Sequence, residues 1–192
     1  MLTPLVQAAT ETDAEPRLQP TARTGLRIRL SRSHADGPTR LAAFDAALVA
    51  AGLENFNLLP LSSVIPLDAT VDVVAPADQL KGSHGDLLYC VYAASYATKP
   101  GAQAWAGIAW ALRTDGSGAG LFVEHSSTTE SDLHAQLDAT LGAMIRNRRD
   151  SYVEAGRLVS SATYAGSPVA ALVVASYQTA GWGPDRTPGR TR

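Results

Sequence analysis

Cysteine is almost absent from this chain. Cys90 is the only one among 192 residues, so a disulfide framework or a cysteine-built zinc site within one chain is excluded. In the run Leu87-Leu88-Tyr89-Cys90-Val91 the thiol reads as a small buried hydrophobe. Histidine is scarce as well. His34, His84, His125 and His134 show no metal-ligand spacing, such as two on one helical face, so no metal is expected. Charge of one sign is lacking: 16 basic residues meet 18 acidic ones, for a formal net charge of -2. That balance gives no reason to expect nucleic acid or an anionic membrane as a partner. No apolar run is long enough to span a bilayer. The first residues lack the charged-then-apolar pattern of a secretory signal. The expectation is a cytoplasmic protein. A phosphate-cradling glycine motif is missing too, since Gly116, Gly118 and Gly120 fit a hairpin turn better.

What is present suits one globular domain. Hydrophobic residues make up 45% and charged residues 18%, a composition that folds and builds a core. Residues 1–24 mix Thr, Pro, Ala, Glu and Arg without a period and read as a mobile arm. Residues 181–192 read as a similar tail. Between them, 25–180 shows no repeat and no dividing linker. The first strand is predicted over Gly25–Ser31, with Ile28 and Leu30 on one face and Arg27 and Arg29 on the other. A helix follows Asp36-Gly37-Pro38, with Leu41, Phe44 and Leu48 at helical spacing and Gly52 as its stop. Phe56–Leu61 reads as a short strand, and 67–85 as looser chain. Further strands are predicted over Leu87–Tyr96, Ala102–Arg113 and Gly120–Glu124. Next comes a second helix, opened by a capping box at Ser127-Thr128-Thr129-Glu130. Its stripe is Leu133, Leu137, Leu141, Met144 and Ile145, with Arg146 at its end. The last strands fall near Arg157–Tyr164 and Val169–Tyr177. Strands dominate, with two convincing helices, which gives an α+β domain with each helix covering a sheet face.

The chemistry centres on Ser62-Ser63. Alone, the dipeptide is an ordinary turn after a strand. Its context is more specific. Ala43-Phe44-Asp45-Ala46-Ala47-Leu48 is followed by Ala51-Gly52-Leu53-Glu54-Asn55-Phe56-Asn57-Leu58, then by Ser62-Ser63-Val64-Ile65-Pro66. In order and spacing this resembles the pyruvoyl-dependent arginine decarboxylase family, whose pattern is a helix with a Phe-Asp pair, a Gly-ending turn, an Asn-x-Asn-Leu strand and a Ser-Ser-apolar-apolar-Pro cleavage site. Downstream, Gly120-Leu121-Phe122-Val123-Glu124 looks like the family strand that ends in a catalytic glutamate. The resemblance is dense from Leu41 to Pro66 and thinner to the end of the second helix.

The resemblance implies self-cleavage between Ser62 and Ser63. The hydroxyl of Ser63 attacks the carbonyl of Ser62 as an intramolecular nucleophile. The products are a β chain, 1–62, and an α chain from 63 to 192 that begins with a pyruvoyl group. That group forms a Schiff base with the substrate amine and acts as electron sink while carbon dioxide leaves. The implied reaction turns L-arginine into agmatine. The resemblance further implies a four-layer αββα sandwich, and trimers or dimers of trimers with sites between neighbouring subunits.

Single residues read as follows. Asp45 shares a helical face with Leu41 and Leu48, and by resemblance its carboxylate meets the substrate guanidinium. A structural salt bridge or an exposed helix edge is the plainer alternative. Asn57 has the parity of Ser63, so an extended strand places both on one face. By resemblance Asn57 hydrogen-bonds at the pyruvoyl centre, although Pro60 weakens the parity argument. Glu124 on spacing alone is a surface strand end, whereas the resemblance makes it the acid that protonates the product carbon. Leu48 and Phe56 match pocket-lining positions and equally suit a core. The chain departs from the family pattern at Glu54, Pro60 and Leu67; Glu54 and Pro60 lie close to the pocket the resemblance implies, where they bear on substrate choice and not on the pyruvoyl chemistry. The rival readings are decarboxylation of another amino acid, an unprocessed relative that serves as a binding or assembly partner, and an unrelated α+β binding module.

Overall fold

The computed structural model describes residues 25–182. The predicted arm, and the tail beyond Trp182, lie outside the described residues. In chain order the elements are β1 (Arg27–Asp36), α1 (Arg40–Ala51), β2 (Asn57–Pro60), β3 (Val64–Ile65), β4 (Thr70–Val73) and a short 3-10 turn (Pro76–Asp78). Then come β5 (Leu87–Ala97), β6 (Gln103–Arg113), β7 (Gly120–Ser127), α2 (Glu130–Arg146), β8 (Tyr152–Thr163) and β9 (Val169–Ala180). Among the described residues, nine strands in two sheets with two helices make a mixed α+β fold. Among the described residues, no helix is long and apolar enough to cross a membrane.

The first sheet has the order β2-β5-β9-β1-β4 and the second β3-β7-β6-β8. In the first, β1 runs parallel to β4 and β2 parallel to β5, while β9 is antiparallel to both β1 and β5. The second is antiparallel throughout. Period-two alternation sorts the side chains into distinct cores. One cluster joins the two sheets, with Ile28, Leu30, Val91, Ile108, Phe122 and Val173 among its members. A second joins α1 to the first sheet through Ala43, Ala47, Leu48, Leu88, Leu172 and Val174. A third joins α2 to the second sheet through Leu133, Leu137, Leu141, Ala109 and Val123. Cys90 belongs to the second cluster and is fully buried, as its sequence context predicts.

Several expectations change in detail. The face of α1 is turned from the predicted one. Leu41 is 77% exposed, and the helix sits on Ala43, Ala47, Leu48 and Ala51. Alanines let the helix axis approach the sheet, so the small residues define the buried stripe and the large Leu41 stays outside. Thr39 caps the helix by accepting from the Ala42 N–H at 3.1 Å. Gly52 ends it with φ 73° and its N–H on the carbonyls of Leu48 and Val49, the left-handed stop that glycine favours. The cap of α2 is Thr129, not Ser127. Thr129 accepts from the Asp132 N–H at 3.3 Å, because β7 runs on through Ser127, three residues past its predicted end. The stretch 67–85 is not loose throughout. It carries β4, which exists because β1 offers it a parallel edge. β1, β8 and β9 are longer than predicted for the same reason: each is continued by its neighbour's hydrogen bonds.

Candidate active site

Ser62 and Ser63 lie where the chain passes from one sheet to the other. Leu61 still follows the first sheet, donating its N–H to the Cys90 carbonyl at 2.9 Å. Val64 already belongs to the second sheet, opposite Leu121 of β7. Ser63 makes the crossing with φ 64°. For a residue with a β-carbon that left-handed conformation costs about 1–2 kcal/mol. It persists because its surroundings hold it. The Phe122 N–H donates to the Ser63 carbonyl at 2.8 Å, and the Tyr177 hydroxyl donates to the Val64 carbonyl at 3.0 Å. Ser63 is buried while Ser62 is exposed.

The Ser63 hydroxyl donates to the Glu124 carboxylate, with its two oxygens at 2.9 and 2.8 Å. Strand alternation brings Glu124 there. On β7, Phe122 faces the first sheet and Val123 faces α2, so Glu124 shares the face of Phe122. His125 points the other way, to a hydrogen bond with Thr140 Oγ1 of α2 at 2.7 Å. Burial pushes the Glu124 carboxyl above its ordinary range, opposed by the Ser63 hydrogen bond and then by the nearby His125. A carboxylate so placed is a better base than one in water. The arrangement pairs an alcohol nucleophile with a proton acceptor in contact.

A cavity of about 610 Å³ opens beside this pair, lined by Pro60, Leu61, Tyr92, Glu124, His125 and Gln136 among others. Its origin is topological. β2 stops pairing at Pro60, opposite Cys90, while β5 continues to Ala97. Among the described residues, the edge of β5 beyond Cys90 is therefore uncovered, and the gap between the two sheets is open there. Pro60 fits its place on an edge strand, where a missing N–H costs nothing.

Of the predicted site residues, Ser62, Ser63 and Glu124 come together. The rest stand elsewhere in the same chain. Asn57 is at the opposite end of β2, exposed, with its Nδ2 donating to the Gly85 carbonyl at 2.7 Å. The expected common face with Ser63 does not hold, because the strand ends at Pro60 and Ser63 is left-handed rather than extended. Asp45 is exposed on the outer side of α1, with the first sheet between it and the Ser63–Glu124 pair. Leu48 is buried under α1, and Phe56 is half-buried against the same core. Neither lines the cavity at Glu124. Sequence reasoning missed Tyr177 and the Phe122 N–H. Tyr177 stood at a predicted strand end with nothing to link it to Val64, 113 positions away.

Comparison with known proteins places the chain in a family. The family profile "Pyruvoyl-dependent arginine decarboxylase (PvlArgDC)" matches residues 27–180. Pyruvoyl-dependent arginine decarboxylases of two Halobacterium salinarum strains are 41% identical over 153 residues, covering 79% of this chain and 93% of theirs. The enzyme of that name from Methanococcoides burtonii is 33% identical over 101 residues, 52% of this chain and 55% of its own. The chain belongs to the pyruvoyl-dependent arginine decarboxylase family.

Proposed function

We propose that this chain cuts itself between Ser62 and Ser63 and then decarboxylates L-arginine to agmatine. It is a pyruvoyl-dependent arginine decarboxylase, and its cofactor is made from the atoms of Ser63. The observation that carries the residue assignment is the Ser63 hydroxyl on the Glu124 carboxylate, at a residue strained into the left-handed region. Glu124 takes the hydroxyl proton as Ser63 Oγ attacks the carbonyl carbon of Ser62. The Ser62–Ser63 C–N bond breaks, the amine nitrogen receives the proton, and an ester joins the two residues. Loss of the Ser63 α-proton then expels the Ser62 carboxylate and leaves a dehydroalanine. One water enters and one ammonia leaves, giving a β chain of residues 1–62 and an α chain that begins at position 63. Relief of the backbone strain at Ser63 favours the forward direction.

Position 63 suits the resulting group. The side chain there is buried, its carbonyl is held by the Phe122 N–H, and the cavity beside it admits a small molecule. A pyruvoyl group at position 63, held through the Phe122 N–H, would supply an electron sink for the loss of carbon dioxide from a bound amino acid. Glu124, raised in pKa by burial, then delivers a proton to the substrate α-carbon. Asp45 binds the guanidinium as a planar carboxylate partner. Asn57 hydrogen-bonds near the reacting centre, and Leu48 and Phe56 shape the pocket wall.

Asp45 and Asn57 serve a site completed by a neighbouring copy, so the working enzyme is a trimer or a dimer of trimers. Two features support this reading: both residues are exposed and stand apart from Ser63 in their own chain, and the cavity at Glu124 lies open along an uncovered strand edge. The fold is a four-layer αββα sandwich within one domain, 25–180. This layering is supported by three separate cores, one between the sheets and one under each helix. The decisive experiment is the intact mass of the purified, denatured protein, followed by agmatine formation from arginine. Two fragments are expected, the second lighter by one ammonia than a serine-started chain, whereas Ser63→Ala remains a single chain. An uncut wild-type chain after long incubation sinks the proposal.

A further inference from the structure

β3 is two residues long, and the bond proposed to break lies one residue before it. Its inner edge is satisfied by β7, through the Phe122 N–H on Ser63 and the pairing of Val64 with Leu121 and Ile65 with Gly120. The Val64 carbonyl, next in line, is reached instead by the Tyr177 hydroxyl at 3.0 Å. Tyr177 belongs to β9 of the other sheet, so this hydrogen bond crosses the gap between the sheets. The ring is fixed for the task. It is 5% exposed and meets Phe122 edge to face, with centroids 6.2 Å apart. Phe122 is the very residue whose N–H holds Ser63. The two carbonyls that flank Val64, those of Ser63 and of Val64 itself, are thus held by two residues in contact with each other. Burial also pushes the Tyr177 hydroxyl well above its ordinary pKa, which keeps it a donor at any working pH.

We propose that Tyr177 is the positioning residue for Ser63: by tethering the Val64 carbonyl it holds Ser63 left-handed with its hydroxyl on Glu124, and after cleavage it keeps the new chain end docked there. The proposal rests on the reading of Ser63 as the self-cleavage nucleophile. Without the tether the new terminus is anchored only by the Phe122 N–H on Ser63 and two ladder residues, a length that frays. Tyr177 itself exchanges no proton with the reacting atoms.

The test is the cleavage rate of full-length Tyr177→Phe, followed by intact mass from freshly made protein. The control is Ser160→Ala, because Ser160 Oγ also makes a buried bond across the sheets, to the Ser33 carbonyl at 2.6 Å, away from Ser63. Phenylalanine keeps the ring and removes only the donor. Cleavage is expected to slow roughly ten-fold, the effect of one hydrogen bond lost from a partly buried acceptor. Ser160→Ala is expected to lose comparable thermal stability and to cut at the wild-type rate. Hydroxylamine, which cleaves esters, is expected to leave Tyr177→Phe slow, since the attack itself is misaligned and little ester forms. The processed fraction is expected to show a lower kcat for arginine with KM little changed. The inference is overturned if Tyr177→Phe cuts as fast as wild type, if the two variants slow in proportion to their lost stability, or if hydroxylamine restores full cleavage. Failure of the wild-type chain to cut would instead overturn the underlying reading of Ser63.

Discussion

In the mechanism proposed for Ser63 and Glu124, cleavage and decarboxylation have opposite pH dependences. As the proposed base for cleavage Glu124 acts unprotonated, so the cleavage rate is expected to rise with pH through a pKa above the ordinary glutamate range. As the proposed acid in decarboxylation the same group acts protonated, so kcat is expected to fall as pH rises past that value. Glu124→Gln keeps a hydrogen-bond acceptor for Ser63 but no base. It is expected to cut at least about 100-fold more slowly, by intact mass, and to lose the pH dependence. The linkage has a definite sign. A carboxyl whose folded pKa is raised binds its proton more tightly in the folded state, so its contribution to stability shrinks as pH rises through the raised value. Glu124→Gln is therefore expected to melt no lower than wild type at neutral pH. At this scale the sequence was informative about identity and silent about contact. Motif order marks Ser63 and Glu124, but they lie 61 positions apart, and only the pairing of β3 with β7 joins them.

The helices and strands were legible wherever a period was strong. Leu133, Leu137 and Leu141 form the buried stripe of α2 as their spacing predicts. α1 was legible as a helix, but its buried face was not. Pattern reading follows large side chains, and here the contact is made by alanines while Leu41 stays outside. Its C-terminal stop offers a direct check. Gly52 has φ 73°, and an added β-carbon would stand 2.7 Å from the Pro76 carbonyl oxygen. Gly52→Ala is expected to cost about 1–2 kcal/mol from the left-handed backbone alone. For a domain of this size that lowers the melting temperature by roughly 2–8 °C, measurable by calorimetry. Short strands carried no local signal. β3 and β4 exist because β7 and β1 present unpaired edges to them, and nothing within four residues of sequence encodes a partner.

For the whole molecule, the separation of Asp45 from Ser63 within one chain makes a prediction about assembly. Asp45→Ala is expected to cut normally and to raise KM for arginine about ten-fold or more, as loss of a charged hydrogen-bonding partner does. Ser63→Ala is expected to stay uncut and inactive. If sites form between copies, refolding the two variants together restores turnover, because Ser63 of one chain meets Asp45 of the other. No gain in agmatine over the separate variants would place both residues in one chain. By itself, the sequence determined the family, the α+β class and the long periodic elements, and pointed to Ser62–Ser63 as the bond proposed to break, because these rest on residue order and local spacing. Tertiary structure alone decided that Ser63 is left-handed, that Glu124 is its acceptor, that Tyr177 reaches across to Val64, and that Asp45 and Asn57 face away from them. Those features are fixed by strand register, by where each strand ends and by contacts between residues far apart in the chain, and no local pattern carries that information.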